Sequence, residues 1–378
     1  MPRPKLVFID YFPPHYRRGL YEEIGRGADA DFCFFSDQGE RWSDPNIPAV
    51  WDGNYRRVEF PRRRVLGQSI VPGILRRILA GDYDVVIKLP NGRLMFPLTY
   101  WAAKLSGTAF VLWTEMWMHP RTGFHRLSKP LMEGVYRGAE AIVVSGEQVR
   151  RFVLETPGVD PEKIFVARLA VDAEPFEAVE RAEDSGAAED GGAAEILYVG
   201  QFEERKGLPY LLDAFDQLRN TGARLRMIGG GVQSDWVRSR AAGRDDIELV
   251  GYRSQAELPA EFARARCLVL PSITTREDRE PWGLVVNEAL HAGVPVVATD
   301  AVGAAAAGLV RDGRNGFIVP ERDSTALAAA IRQLIDDPDL AARMGAAGRQ
   351  DAGEFTYERM ARAFLDAALY AARVSGGR

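Results

Sequence analysis

Two carboxylates with seven residues between them stand in Glu280-Pro281-Trp282-Gly283-Leu284-Val285-Val286-Asn287-Glu288. A short apolar run, Cys267-Leu268-Val269-Leu270, precedes them and ends in Pro271-Ser272. The spacing predicts a strand, a loop carrying Glu280, and a helix that opens near Gly283 with Glu288 about one turn in. The first turn of a helix offers unpaired N–H groups and a positive dipole end, which suits a phosphate. Ionised carboxylates are strong acceptors, so a flanking pair suits the hydroxyls of a sugar or a ribose. Phosphate between two sets of hydroxyls describes a sugar nucleotide. The plain alternative is a pair of solvated glutamates around a surface helix, and for this spacing without its context that reading would stand.

The context, from Pro-Ser through Gly-Leu-Val to Ala292-Gly293-Val294-Pro295-Val296, resembles the signature of the family 4 retaining glycosyltransferases. The resemblance is close over about residues 193 to 360 and looser before them. It implies the GT-B architecture, two facing Rossmann-like domains with a C-terminal helix crossing back. It also implies transfer of a sugar from a nucleoside diphosphate donor to an acceptor hydroxyl, with retention, no cofactor and no metal. By that resemblance Glu280 contacts the donor sugar, Glu288 the ribose, and the Gly283, Leu284 and Val285 helix start the phosphates. In Gly200-Gln201-Phe202-Glu203-Glu204-Arg205-Lys206-Gly207 the family usually has Gly-Arg first and Lys-Gly last, its cations neutralising the pyrophosphate. Lys206 matches; Gln201 brings a hydrogen bond and no charge, and Arg205 is the candidate to compensate. The departing diphosphate gains negative charge as the glycosidic bond breaks, so fixed cations there lower the barrier. Gly230, in the turn Gly229-Gly230-Gly231, would let the nucleotide approach the backbone, with Tyr252 and Arg253 near the base. In the first half, Glu115 and His119 follow the strand Phe110–Trp113; they are the acceptor-side candidates for base or orienter. Trp101, Trp113 and Trp117 are either an apolar acceptor wall or core.

These residues need two sheets to hold them. Short Val/Ile/Leu/Phe runs alternate with amphipathic segments, the pattern of parallel α/β sheets. The first set is 6–9, 31–35, 85–87, 109–113, 141–144 and 164–166; the second is 196–199, 224–228, 247–250, 268–270, 294–298 and 317–319. The expected division is a domain over 1–172 for the acceptor, a linker over 173–194, a donor domain over 195–356, and a helix over 357–378 that packs back on the first domain. Ser185 to Gly192 is too polar and glycine-rich to bury a core.

Composition narrows the rest. The 378 residues, 46% hydrophobic and 27% charged, suit two globular domains of ordinary size. No apolar run reaches the ~18 residues of a membrane helix, and the expected location is the cytoplasm of a bacterium. Cys33 and Cys267 lie in separate strand-like runs and read as small core residues. Residues 1–172 hold 24 Lys+Arg against 20 Asp+Glu, and the rest 24 against 33. The arginine clusters 17–18, 56–57, 62–64 and 76–77 read as solvated faces, or as a weak contact with the inner membrane surface. Nucleic acid is excluded by overall acidity and the lack of a matching module. The expected partners are a nucleotide sugar and a sugar, lipid-linked or small-molecule acceptor. Two rivals share the architecture: a nucleotide-sugar 2-epimerase, and a non-catalytic subunit that binds sugar nucleotide.

Overall fold

β-branched and aromatic runs of three to six residues form strands that are covered on both faces, as a parallel sheet requires. The computed structural model describes residues 3–35, 53–179 and 193–376. Its strands in chain order are β1 (Lys5–Asp10), β2 (Asp29–Phe34), β3 (Arg57–Val58), β4 (Arg63–Val65), β5 (Gln68–Ile70), β6 (Val85–Lys88), β7 (Ala109–Thr114), β8 (Ala141–Val144) and β9 (Ile164–Val166). They continue as β10 (Glu195–Val199), β11 (Arg224–Ile228), β12 (Ile247–Gly251), β13 (Ala265–Leu270), β14 (Val296–Thr299) and β15 (Gly316–Val319). Two units result: Met1–Trp117 with Gly123–Leu169 and Tyr357–Arg378, and Met118–Thr122 with Ala170–Thr356.

In the first unit the sheet order is β3-β2-β1-β6-β7-β8-β9, every pair parallel. Because right-handed crossovers reverse faces where the order reverses, the helices after β5, β6 and β7 share one face. The helix Arg18–Gly27 lies opposite, packed against Tyr357–Gly376. That long helix turns Met360, Phe364, Ala367, Ala368 and Ala371 inward. Phe364 meets Trp113 edge-on at 5.0 Å and Phe8 at 5.9 Å, so it fills the middle of that face. β3 and the β4–β5 hairpin are absent from the sequence expectation, because they are short and arginine-rich and show no apolar run.

The second unit orders its strands β12-β11-β10-β13-β14-β15, again all parallel. β10 and β13 are the central pair, and the loops after β10, β11, β12 and β13 leave one edge of the sheet. Ligands of open α/β sheets bind at such an edge. The linker proposed for 173–194 lies mostly outside the described residues; within its described part, Glu174–Glu177 forms one helical turn. Cys33 and Cys267 are buried and unbridged.

Truncating Phe364 to alanine should cost about 3–5 kcal/mol, the range for emptying a buried aromatic site. Hydrogen exchange of the β1 and β7 amides should accelerate while β10 and β13 stay protected; equal protection in both units would contradict this packing.

Candidate active site

Glu280 is held from both of its carboxylate oxygens. Lys206 Nζ reaches Oε2 at 2.5 Å and Arg205 Nη1 reaches Oε1 at 2.5 Å. The Ser272 hydroxyl donates to Oε2 at 3.0 Å. Burial pushes this carboxyl up, but the two cations and the hydrogen bonds outweigh it and hold it at about 2. The backbone is fixed as well: Glu280 forms a parallel bridge with Val302, and Gly303 N donates to Glu280 O at 3.1 Å. Next to it Trp282, fully enclosed, donates from Nε1 to Asn287 Oδ1 at 2.7 Å. The position of Glu280 is therefore set by packing and not by solvent.

Arg205 also contacts Glu203 at 2.6 Å and Asp278 at 3.2 Å, so three carboxylates surround it. Gln201 is exposed, and its carbonyl accepts from the Tyr198 hydroxyl at 2.8 Å. Arg205 and Lys206 thus come together on Glu280, while Gln201 is held on the same loop by its backbone.

Glu288 differs. It lies in the first turn of a helix that runs Val285–His291, two residues later than the expected opening at Gly283. Gly283 has φ +90°, and a Cβ there would come within 2.6 Å of Leu270, so its glycine has a packing cause. A two-turn helix sums fewer peptide dipoles than a long one, which weakens the electrostatic part of the phosphate argument. The Glu288 carboxylate is buried, and Gln255 Nε2 donates to it at 3.3 Å. Burial dominates and lifts its pKa to about 7. Three residues on, His291 Nδ1 faces Glu177 at 2.9 Å, tying the end of this helix to the segment Glu174–Glu177.

The glycine turn after β11 divides into two kinds of position. At Gly229, φ is +130° and a Cβ would lie 2.0 Å from Gly200 O, so this glycine is demanded by contact with the β10 loop. Gly230 has its nearest neighbour, Ser234 Oγ, at 3.7 Å and room for a side chain. After β12, Tyr252 is exposed and Arg253 is engaged by Glu261 at 3.1 Å. Ser272 and Gln255 were missed by sequence reasoning. Ser272 had a signal in the Pro-Ser pair closing β13; Gln255 had none.

The acceptor-side candidates fall in different units. Glu115 follows β7 in the first unit and accepts from Arg17 Nη2 at 2.8 Å. Arg17 Nη1 reaches Asp10 at 2.6 Å, and its guanidinium lies 4.2 Å above the Trp113 ring. Asp10 also takes bonds from Tyr21 and Asn91. Burial raises the Glu115 carboxyl, with Arg17 opposing. Arg17 is therefore bound into this network and does not belong to a surface patch. His119 is exposed in an irregular stretch before the helix Gly123–Gly138. Pro120 follows it and disfavours helix there. Its stretch Met118–Thr122 groups with the second unit, tied by Arg121 N to Arg276 O at 2.7 Å. Trp113 is wholly buried core.

Residues 180–351 match the family model of glycosyl transferases group 1. A glycogen synthase of Mycobacterium tuberculosis is 32% identical over 243 residues, 63% of this chain. The match spans 56% of that relative, little more than half its length. A GDP-mannose-dependent alpha-(1-6)-phosphatidylinositol monomannoside mannosyltransferase of the same organism is 28% identical over 375 residues, 93% of each chain. Among solved structures, Anabaena HepE with UDP and glucose has a TM-score of 0.72 at 18% identity, covering 96% of this chain and 98% of that one. Sucrose-phosphate synthase from Thermosynechococcus elongatus has a TM-score of 0.73 at 18% identity, with both chains fully covered. At these identities the structures establish the fold, which is GT-B. Residues 180–351 are thus similar to the glycosyl transferases group 1, on a chain whose fold is that of GT-B glycosyltransferases.

A carboxyl raised in the folded state from 4.5 to about 7 favours folding in its protonated form. Its contribution is complete below the unfolded value and is lost as pH rises through about 7. Glu288→Gln should therefore melt with the parent at acid pH and above it at alkaline pH, by up to roughly 3 kcal/mol. A difference between the two proteins that does not change with pH would show that Glu288 is not buried as described.

Proposed function

We propose that this protein is a retaining, metal-independent glycosyltransferase that moves a sugar from a nucleoside diphosphate donor to an acceptor hydroxyl. The observation that carries the reading is Glu280, kept ionised between Lys206 and Arg205 at the strand-end edge of the second unit. The donor's diphosphate would take these cations as partners in place of part of their contact with Glu280. The freed carboxylate oxygen would then accept from a sugar hydroxyl. Charge building on the leaving diphosphate meets cations already fixed in a region of little water, where they stabilise it most. The protein supplies this charge itself, so the reading requires no metal.

Glu288, beside the same loop, would accept from the ribose hydroxyls, with Gly230 giving the nucleotide close access to the backbone and Tyr252 and Arg253 nearest the base. Gly200, Gln201 and the Gly283, Leu284 and Val285 turn would complete the phosphate contacts through their backbones. Glu115 is proposed on the acceptor side, held in orientation by Arg17, with His119 as the second candidate there. Neither donor-side glutamate needs to act as a covalent nucleophile. Two named relatives frame the donor question. The mannosyltransferase is GDP-mannose-dependent by name, and HepE was solved with UDP and glucose.

UDP, GDP, ADP and TDP should be compared by thermal shift, each in large excess. A ligand at ~100 times its dissociation constant stabilises by ~2.7 kcal/mol, which a melting curve resolves. A shift with one nucleotide names the base; no shift with any removes the donor site and the reading with it. Gly230→Ala should fold normally yet lose most of that shift, whereas an unchanged shift would move the nucleotide elsewhere. Once the donor is known, Lys206→Gln, which keeps a donor to Glu280 and removes the charge, should lower kcat by about 10²–10³. Turnover equal to the parent's would take Lys206 out of the mechanism.

A further inference from the structure

We propose that the outer helical face of the first unit is a docking surface for an anionic lipid bilayer. It is independent of the donor reading. Three helices share this face: Pro72–Leu79, Met95–Ser106 and Gly123–Gly138. The first two pack side by side. The second and third meet where Arg93 lies 4.8 Å over the Phe124 ring, and where Tyr100 Oη fills the space a Cβ of Gly138 would need.

Their apolar residues point the wrong way for a water-facing surface. Leu98, Trp101 and Leu105 recur at the three- and four-residue steps of one helical stripe, and Trp101 is 55% and Leu105 78% exposed. Phe124, Leu127 and Leu131 repeat the same steps on the next helix, with Leu127 84% exposed. Leu79 is exposed at the end of the first. Only Val135 and Tyr136 of the helix Gly123–Gly138 are buried, so its first two turns contribute little to the core. Single exposed leucines are ordinary; two matched stripes on adjoining helices mark an interaction surface.

Charge decides the partner. The three helices carry six cations, Arg76, Arg77, Lys104, Arg126, Lys129 and Arg137, against one carboxylate, Glu133, a net of +5 in a chain whose total is −5. Arg77 and Lys104 are engaged by Asp82 and Glu140. Lys129 and Arg137 share Glu133 at 3.6 and 3.9 Å on their own helix, and with Arg76, Arg126 and Arg93 they are exposed beside the apolar stripes. Leucine, phenylalanine and tryptophan flanked by cations is the composition that settles at the headgroup boundary of a bilayer. Arginines at 56 and 17 are held by aspartates and take no part, so the surface lies on these helices and not on the arginine pairs as such.

Flotation of the full chain with vesicles of phosphatidylcholine alone, and mixed with phosphatidylglycerol, tests this. The protein should float with the mixed vesicles and not with phosphatidylcholine, and 1 M salt should release it, where screening shortens to about 3 Å. Arg126→Ala with Lys129→Ala should weaken binding roughly 25-fold, about five-fold per cation. Leu105→Ser with Leu127→Ser should weaken it at least about ten-fold at an unchanged melting temperature, since both side chains are exposed. Failure to float, equal binding to both lipids, or variants that bind like the parent would each overturn the proposal. So would self-association that the leucine variant abolishes, because a second copy would then cover the face.

Discussion

An ionised carboxylate out of water is stable only while cations and donors hold it, and the second unit is arranged around one such group. Glu280 keeps its charge because Lys206 and Arg205 come from the loop after β10 while Ser272 closes β13, the strand beside it. Removing either strand end would leave charge buried without a partner, which is costly. The bridge from Glu280 to Val302 and the close fit of Gly229 against Gly200 follow from bringing these loops to one spot. The sheet order is thus a precondition of the chemistry, because adjacent strand ends are what bring cation and carboxylate within bonding distance.

Glu280 and Glu288 show how environment divides two identical side chains. Both are buried, yet one is held near 2 and the other lifted near 7. The difference lies in what meets them: two cations and a hydroxyl for Glu280, a neutral amide for Glu288. In the proposed reading the first is a fixed anion in the resting protein, and the second gains its partners when a polar ligand arrives.

Much of the fold was legible because each parallel strand is covered on both faces and leaves a dense apolar run. β8, β9 and β11 fall on the expected residues, and other strands differ by one to three residues at their ends. β3 and the arginine-rich hairpin carried no such run and stayed hidden. In the candidate site, the family resemblance pointed to Glu280 and Lys206 and offered Arg205 as a compensating cation, and the three side chains do meet. Contacts that depend on how a loop turns were not legible. Gln255 against Glu288, Arg17 between Asp10 and Glu115, and the grouping of His119 with the second unit all arise from three-dimensional closure with no local pattern.

The helix Tyr357–Gly376 has a consequence for the order in which the chain matures. Phe364 completes the core around Phe8 and Trp113, yet it is made after all of the second unit. During synthesis, the stretch Ala170–Thr356 has its own sheet in full before the earlier-made strands β1 to β9 receive their covering helix. The part translated first is therefore finished last. Until then its apolar face is exposed to chaperones and to other nascent chains.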